Sequence, residues 1–395
     1  MNNGGPDDYH IMRIELPFCL MIFYRVSKKM MISAGEASGE LYGALLSREV
    51  KRLWPDTEIF GIGGPRMKNE GVTLIAPISQ VVGIVEAVKH TGEVRDTFRK
   101  AKEALVTKRP DVLVLIDYPD FNIALAKRAK AAGIPILYYV SPQVWAWRRG
   151  RVKTIALLAD RIAVLFPFEC EYYKETGLPC EFVGHPVAET INITQTKEEL
   201  KKDLGLAPDR DVVTLLPGSR PAEIKRHQAI IKGTAEKFHH EFPGVQVVVP
   251  LTAESNLPEG LPDYVKVIRA RTTEAVACSE AAAVASGTVT FETALTGTPM
   301  VVFYRVSPVT YFLAKLLVKV EFISLVNILS GKRVVLELLQ EKASPDRIFA
   351  EMKRILHDMP YRNDMISDLG KIKALMSGKK PSQRIARMAG EMAGW

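Results

Sequence analysis

The chain is poor in cysteine. It has four in 395 residues, Cys19, Cys170, Cys180 and Cys278, and no C-x-x-C pair. That spacing argues against the common structural zinc sites, offers no disulfide framework and suits a reducing compartment. No apolar run reaches the roughly 18–20 residues of a membrane-spanning helix. The stretch from Leu16 to Tyr24 is too short. It also lacks a basic start and a small-residue cleavage site, so no signal peptide is expected. There is no Lys/Arg block either: the net charge of +8 comes from 53 basic and 45 acidic residues spread along the chain. Such a balance suits phosphorylated substrates or an anionic membrane surface and argues against a nucleic-acid partner. A complete glycine fingerprint for dinucleotides is missing too. "GIGGPRM", from Gly61, begins like one, but Arg66 stands where the third glycine belongs and the motif follows the second strand. "DRD", Asp209 to Asp211, precedes its strand, at the wrong end for a metal site in a parallel sheet. Neither a metal nor a cofactor is expected.

What is present is a regular alternation from Lys29 onward. Apolar runs of strand length, "MMIS", "EIFGIG", "DVLVLID", "PILYYV" and "RIAVLF", alternate with helical stretches. Runs apolar on both faces belong to buried parallel strands, and their alternation with helices predicts right-handed βαβ units. A second series, "DVVTLLPG", "VQVVVPL", "VKVIRA", "AAAVAS" and "PMVVFYR", starts near Asp211. The fold class is therefore α/β, with two doubly wound parallel-sheet domains. We expect an N-terminal extension over 1–28, outside the fold, and Rossmann-like domains over 29–186 and 187–344. C-terminal helices follow over 345–395. In such sheets ligands bind beyond the carboxyl ends of the strands, so chemistry should sit in the loops after the apolar runs.

Five loops there carry polar groups worth weighing. "TLLPGSRPAEIKRH", Thr214 to His227, turns from strand into helix. Gly218 allows close backbone approach, Ser219 can donate and Arg220 can fork onto phosphate oxygens. The plainer reading is an N-capped turn with a solvated arginine. In "VASGTVTFETALTGTPMVV", Gly287 and Thr288 open a helix and Glu292 follows one turn in. A carboxylate there can hold two ribose hydroxyls, or simply favour the helix N-terminus. "DVLVLIDYPDFN" ends a strand with Asp117, then Asp120. Asp117 faces the cleft as a candidate base, and Asp120 suits a helix N-cap. "YYVSPQVWAWRRGRVK" sets two tryptophans beside Arg148, Arg149, Arg151 and Lys153. It can hold a sugar or an anionic group, or be a tryptophan pair with a solvated basic rim. The first loop, "ISAGEASGELYG", carries Glu36 and Glu40 where a phosphate loop would keep glycines. His185 in "VGHPVA" reads as structural, and the apolar stretch Tyr304 to Gly331, with Lys315 and Lys319, as core or an acyl-chain contact.

Taken in order, "ISAGEASGELYG", "GIGGPRM", "GIVE", "IDYPDFN", "YVSPQVWAWR", "FPFE", "VGHP", "LLPGSR", "ASGTVTFETAL", "YRVSPVTYFLAKLLVK" and "SLVNILSG" resemble the lipid-A-disaccharide synthase family. The likeness runs from about Lys29 to about Leu339. It implies a GT-B fold and an inverting, metal-independent transfer of 2,3-diacylglucosamine from UDP-2,3-diacylglucosamine. The acceptor would be the 6-hydroxyl of 2,3-diacylglucosamine 1-phosphate (lipid X), and the products a β-1,6 disaccharide phosphate and UDP. It implies a cytoplasmic protein, peripheral at the inner face of the Gram-negative inner membrane, and a homodimer. The rivals are other GT-B enzymes, a peptidoglycan sugar transferase or a UDP-N-acetylglucosamine 2-epimerase, against which "GEASGE" and "VWAW" argue.

Carried over by position, Asp117 is the base on the acceptor hydroxyl and Arg220 holds the departing diphosphate. Gly218, Ser219, Gly287, Thr288, Glu292, Asn327 and Gln340 face the donor. Glu36 and Ser38 meet acceptor hydroxyls. Trp147 lies on the acceptor side, and Arg148, Arg149 or Arg151 takes the acceptor phosphate. Two departures are Glu40, where the family often has Asp, and Val326, where it often has Pro. The Val82 to Phe98 segment, matched to membrane contact, is made more polar by Lys89, His90 and Glu93.

Overall fold

A computed structural model describes residues 27–395 apart from 78–90, 145–149, 254, 256, 257, 259, 308–310 and 312–320. All but residues 27 and 28 of the expected extension, together with Trp147, Arg148, Arg149, Lys315, Lys319 and most of the 82–98 segment, therefore lie outside the described residues.

The first sheet is built from β1 (Lys29–Ala34), β2 (Glu58–Gly63), β3 (Thr73–Pro77), β4 (Val112–Ile116), β5 (Ile136–Tyr139), β6 (Arg161–Val164) and β7 (Cys180–Phe182). The second is built from β8 (Val212–Leu216), β9 (Gln246–Leu251), β10 (Lys266–Arg269), β11 (Ala281–Ala285), β12 (Met300–Tyr304) and β13 (Glu337–Leu339). Every pairing is parallel, in the orders β3-β2-β1-β4-β5-β6-β7 and β10-β9-β8-β11-β12-β13. The order reverses between β1 and β4 in one sheet and between β8 and β11 in the other. Loops leaving those strands splay apart and open a crevice at each reversal.

The central strands are buried along their whole length. "VLVLI" of β4, "VVTLL" of β8 and "AAAVA" of β11 present no exposed residue. Helices covering both faces account for the continuous apolar runs. At the paired positions Ile32 and Gly61, β1 and β2 come so close that a Cβ on Gly61 would lie 1.8 Å from the Ile32 carbonyl oxygen. Only glycine fits there.

The tail forms three helices. Pro345–His357 packs on Pro221–Glu241 and on β11 and β12. Met359–Met376 continues over the second half. The last helix, Pro381–Ala393, returns to the first half and packs on Ala37–Leu53, β4 and β5. Arg384 makes a two-pronged pair with Glu181 at 2.6 and 2.8 Å. Ser382 donates its amide and hydroxyl to Glu189. Trp395 lies edge-on to Trp54, ring centroids 5.2 Å apart, and its indole N–H reaches Asp111, which also receives the backbone N–H of Lys29. Gly390 is a glycine because the Trp54 ring lies where its side chain would be.

Candidate active site

The loops at the two strand-order reversals carry the polar groups picked out above, and they meet across the cleft. After β1, Glu36 sits at the N-cap of the helix Ala37–Leu53, and its side chain does not cap that helix. It turns instead toward Arg220, which follows β8, with Nη2 to Oε2 at 3.7 Å. This ion pair ties the rim of one sheet to the rim of the other. Arg220 is half exposed, so the pair contributes little to stability. Its significance is position: a guanidinium faces the first half at the mouth of the second.

Glu40 does something else. It is buried, and its carboxylate accepts from the Arg66 backbone N–H at 2.8 Å. It thereby satisfies the start of the short helix Pro65–Asn69, and Gly64 makes room for it. The two acids of the first loop thus divide into a cleft residue and an internal cap, and "GIGGPRM" serves that cap.

Asp117 follows β4 directly. The residue as a whole is partly open to the cleft, whereas its carboxyl group is enclosed. Burial first, and the Glu36 charge second, push its pKa up to about 6. The Tyr118 backbone N–H and the Arg151 guanidinium pull the other way. A carboxylate poised there is a suitable base at neutral pH. The backbone is held in an uncommon conformation, with φ of 50° at Asp117 and 48° at Tyr118, both left-handed, and 72° at Val140 beside them after β5. Left-handed residues other than glycine gather at functional sites because the surrounding structure must enforce them.

Asn122 does much of that enforcing. It is fully buried, accepts from Ser33 Oγ at 2.7 Å and donates Nδ2 to the Asp117 carbonyl at 2.6 Å. It links the ends of β1 and β4 beneath the candidate base. Asn122→Ala is expected to leave the Ser33 hydroxyl and the Asp117 carbonyl unpaired. The cost is about 1–3 kcal/mol of unfolding free energy per orphaned group, read from urea midpoints. Turnover should fall alongside.

Asp120 is not the N-cap. That position belongs to Tyr118, with Pro119 first in the helix Pro119–Ala131. Asp120 pairs instead with Arg151, whose guanidinium is buried while the aspartate is exposed. Arg151 therefore is not part of a solvated basic rim.

On the donor side, the turn after β8 is preorganised. Gly218 has φ of 109°, and a Cβ there would meet Glu223 Oε2 at 2.7 Å. Glu223 accepts from the Ser219 and Arg220 backbone N–H groups, each at 3.3 Å, and from the Tyr304 hydroxyl at 3.0 Å. A carboxylate thus occupies the amides that an incoming phosphate would use. Fully buried His227 fastens the same turn. Its Nδ1–H donates to the Pro217 carbonyl at 2.7 Å and its Nε2 accepts from the Arg305 N–H at 3.1 Å, an arrangement of the neutral ring. Burial lowers its pKa accordingly. Neither Glu223, Tyr304 nor His227 stood out in the sequence. Only the proline-glycine turn before them pointed to the place.

After β11, Gly287 is the N-cap and Thr288 the first residue of the helix Thr288–Thr296, and Glu292 lies one turn along. Burial raises the Glu292 carboxyl above its usual range. Tyr42, buried on the facing half, feels the charges of both Asp117 and Glu292, so both carboxyls lie in its neighbourhood. Next to Tyr42, His185 packs at 4.7 Å from the Phe291 ring, with its Nδ1 accepting from Val187 N–H. Burial holds it neutral, with a pKa pushed down to about 3. It is a structural histidine at the junction of the halves. Gln340, left-handed at φ 52° after β13, gives its carbonyl to Arg305 Nε at 3.0 Å. Asn327 is fully committed to the fold. Its Oδ1 accepts from Val334 and Val335 N–H, and its Nδ2 donates to the Val335 carbonyl and to Glu337. No amide capacity remains for a ligand. Ser38 is partly exposed in the first turn after Glu36.

A family model described as lipid-A-disaccharide synthetase matches residues 30–384. The lipid-A-disaccharide synthase of Geobacter sulfurreducens is 44% identical over 380 residues, covering 93% of this chain and 98% of the relative. That of Nitrosococcus oceani is 42% identical over 342 residues, covering 85% and 88%. Among solved structures, the calicheamicin glycosyltransferase CalG4 superposes with a TM-score of 0.64 at 15% identity over 93% of this chain and 99% of that one. The UDP-GlcNAc 2-epimerase of Neisseria meningitidis, bound to UDP-GlcNAc, gives 0.63 at 11% over 91% and 99%. At such identities these two speak for the fold alone, the GT-B arrangement of paired Rossmann-like halves. The family model and the close relatives, each spanning nearly the whole chain, identify it as a glycosyltransferase belonging to the lipid-A-disaccharide synthase family.

Proposed function

We propose that the chain transfers 2,3-diacylglucosamine from UDP-2,3-diacylglucosamine to the 6-hydroxyl of 2,3-diacylglucosamine 1-phosphate, with inversion at the transferred carbon. The observation that carries this reading is the facing pair of rims. An enclosed carboxyl, Asp117, with its pKa pushed up to about 6 stands at the reversal point of one sheet. A guanidinium, Arg220, stands at that of the other and reaches the first rim through Glu36. Asp117 takes the proton from the 6-hydroxyl as that oxygen attacks C1 of the donor sugar. The C1–O bond to the diphosphate breaks, and UDP leaves with the electron pair. Arg220, the Ser219 hydroxyl and the amides opening Thr288–Thr296 stabilise the charge growing on the diphosphate. Glu292 accepts from the ribose hydroxyls. Glu36 and Ser38 meet the acceptor. Arg148 and Arg149 are the cations proposed for its 1-phosphate, since Arg151 is engaged by Asp120.

The acylated substrates reside in a membrane, so we place the enzyme at the cytoplasmic face of the inner membrane as a peripheral homodimer. Among the described residues no helix is long and apolar enough to cross a bilayer. The test is a mass-spectrometric assay with both diacyl sugars in detergent, with and without EDTA. A disaccharide phosphate is expected, undiminished by the chelator, and proton NMR of the isolated product should show a β anomeric coupling. An α product would overturn inversion. Epimerised UDP-sugar without disaccharide would overturn the reaction.

A further inference from the structure

The loop that carries the candidate base is wedged against a residue with no side chain. A Cβ built on Gly35 would lie 2.1 Å from Tyr118 Cγ, 2.4 Å from its Cβ and 2.6 Å from its Cδ1. These are atoms at the root of the tyrosine, so a rotamer change cannot clear all of them: the Cβ moves only with the main chain. The Tyr118 ring also stacks on Phe121 at 5.0 Å and 17°, and Phe121 lies edge-on to Phe98 at 5.5 Å. The main chain of Tyr118 is left-handed, its carbonyl accepts from the Asn122 N–H at 2.9 Å, and its own N–H donates to the Asp117 carboxylate. The seat of Tyr118 against Gly35 and Phe121 thus fixes the amide that orients the carboxylate.

We propose that Gly35 and Tyr118 are positioning residues for proton abstraction, the missing side chain at 35 letting Tyr118 seat and hold the Asp117 carboxyl at the cleft. The proposal rests on the reading of Asp117 as the base. The groups interacting with that carboxyl are Glu36 and Tyr42 from the element after β1, Tyr138 from β5, and Arg151, itself paired with Asp120, from the helix Arg151–Leu158. None of them is altered by the substitutions below.

The test is a double-mutant cycle of Gly35→Ala and Tyr118→Gly. Glycine at 118 removes the clashing atoms and tolerates the left-handed backbone. Gly35→Ala alone is expected to lower kcat by roughly 100-fold, the scale of an ångström's misplacement, with the donor KM nearly unchanged. In the Tyr118→Gly background the same alanine should cost less than about 3-fold, an interaction well above the additive expectation. A second readout needs no substrate: the 13C titration of the Asp117 carboxyl, assigned by its loss in Asp117→Asn. Its midpoint should fall in Gly35→Ala, as water reaches the group, and stay put when alanine is added to Tyr118→Gly. Thermal unfolding identifies a variant that has not folded, and the titration in the cycle's remaining members then decides. Equal cost of alanine in both backgrounds, or a midpoint unmoved by Gly35→Ala, overturns the proposal. If the wild type titrates as described yet makes no disaccharide, the proposed reaction fails and the wedge stands.

Discussion

Asp117→Asn is expected to lower turnover by about 100- to 10,000-fold, the span ascribed to a positioned general base. The amide keeps an oxygen to accept the Tyr118 N–H but cannot take a proton. Donor binding should persist, since the groups assigned to UDP lie on the other half. In the wild type, kcat/KM should fall on the acid side with an apparent pKa near the value of about 6 that burial and Glu36 impose on this carboxyl. The same shift has a consequence for stability, of opposite sign to that of an ordinary paired carboxylate. Because folding raises the pKa from 3.8 to about 6, the native state favours the protonated form. Stability from this group is fully present below the unfolded value and is lost as pH climbs through the folded one. At pH 7.5 the wild type therefore carries the cost of a buried charge that asparagine does not. The variant should unfold later there, by up to about 3 kcal/mol, with the gap closing below pH 4. A variant that is both inactive and no more stable at pH 7.5 would argue that its loss of activity comes from damage rather than from a missing base.

Arg220→Ala should rank second, with kcat reduced about 100- to 1,000-fold, as for loss of one donor to developing negative charge. The departing diphosphate gains charge as the sugar bond breaks, so the loss should fall more on kcat than on the donor KM. Arg220→Lys should recover only part of it, because an ammonium cannot fork onto two phosphate oxygens. The substitution also takes from Glu36 the cation 3.7 Å away. That leaves Glu36 a stronger influence on Asp117, and the acid limb of the rate profile should move to higher pH in Arg220→Ala. Stopped assays across pH with saturating donor check both effects. Equal losses in kcat and in donor affinity would instead make Arg220 a ground-state anchor.

The central strands were readable because burial on both faces leaves an uninterrupted apolar run. The short edge strands β3, β7 and β13 were not singled out, since their three to five residues are partly exposed and carry no such run. Within the site, the turn residues were legible from local chemistry: a proline-glycine turn, a glycine-threonine helix start, an acid at a strand end. What the sequence did not disclose depends on contacts between distant segments. Glu40 finds its partner 26 residues away, and Asn122 bridges to Ser33 across 89. His227 sits in "IKRH", which reads as a charged surface, yet it is fully buried. Asn327 was carried over as a donor contact on the strength of motif position, whereas its hydrogen bonds are all spent on Val334, Val335 and Glu337.

The return of the last helix to the first half has a consequence for synthesis. The face formed by Ala37–Leu53, β4 and β5 leaves the ribosome before the second sheet is made, yet its cover, Pro381–Ala393, emerges only after that sheet. Asp111 likewise receives the indole of Trp395 only after the whole second sheet has been made. Throughout elongation of the second sheet, the first half bears an uncovered apolar surface, the kind of exposure that recruits chaperones or misassembles. The first domain is thus sealed late: a chain cut short before residue 381 leaves the face of its own first half uncovered.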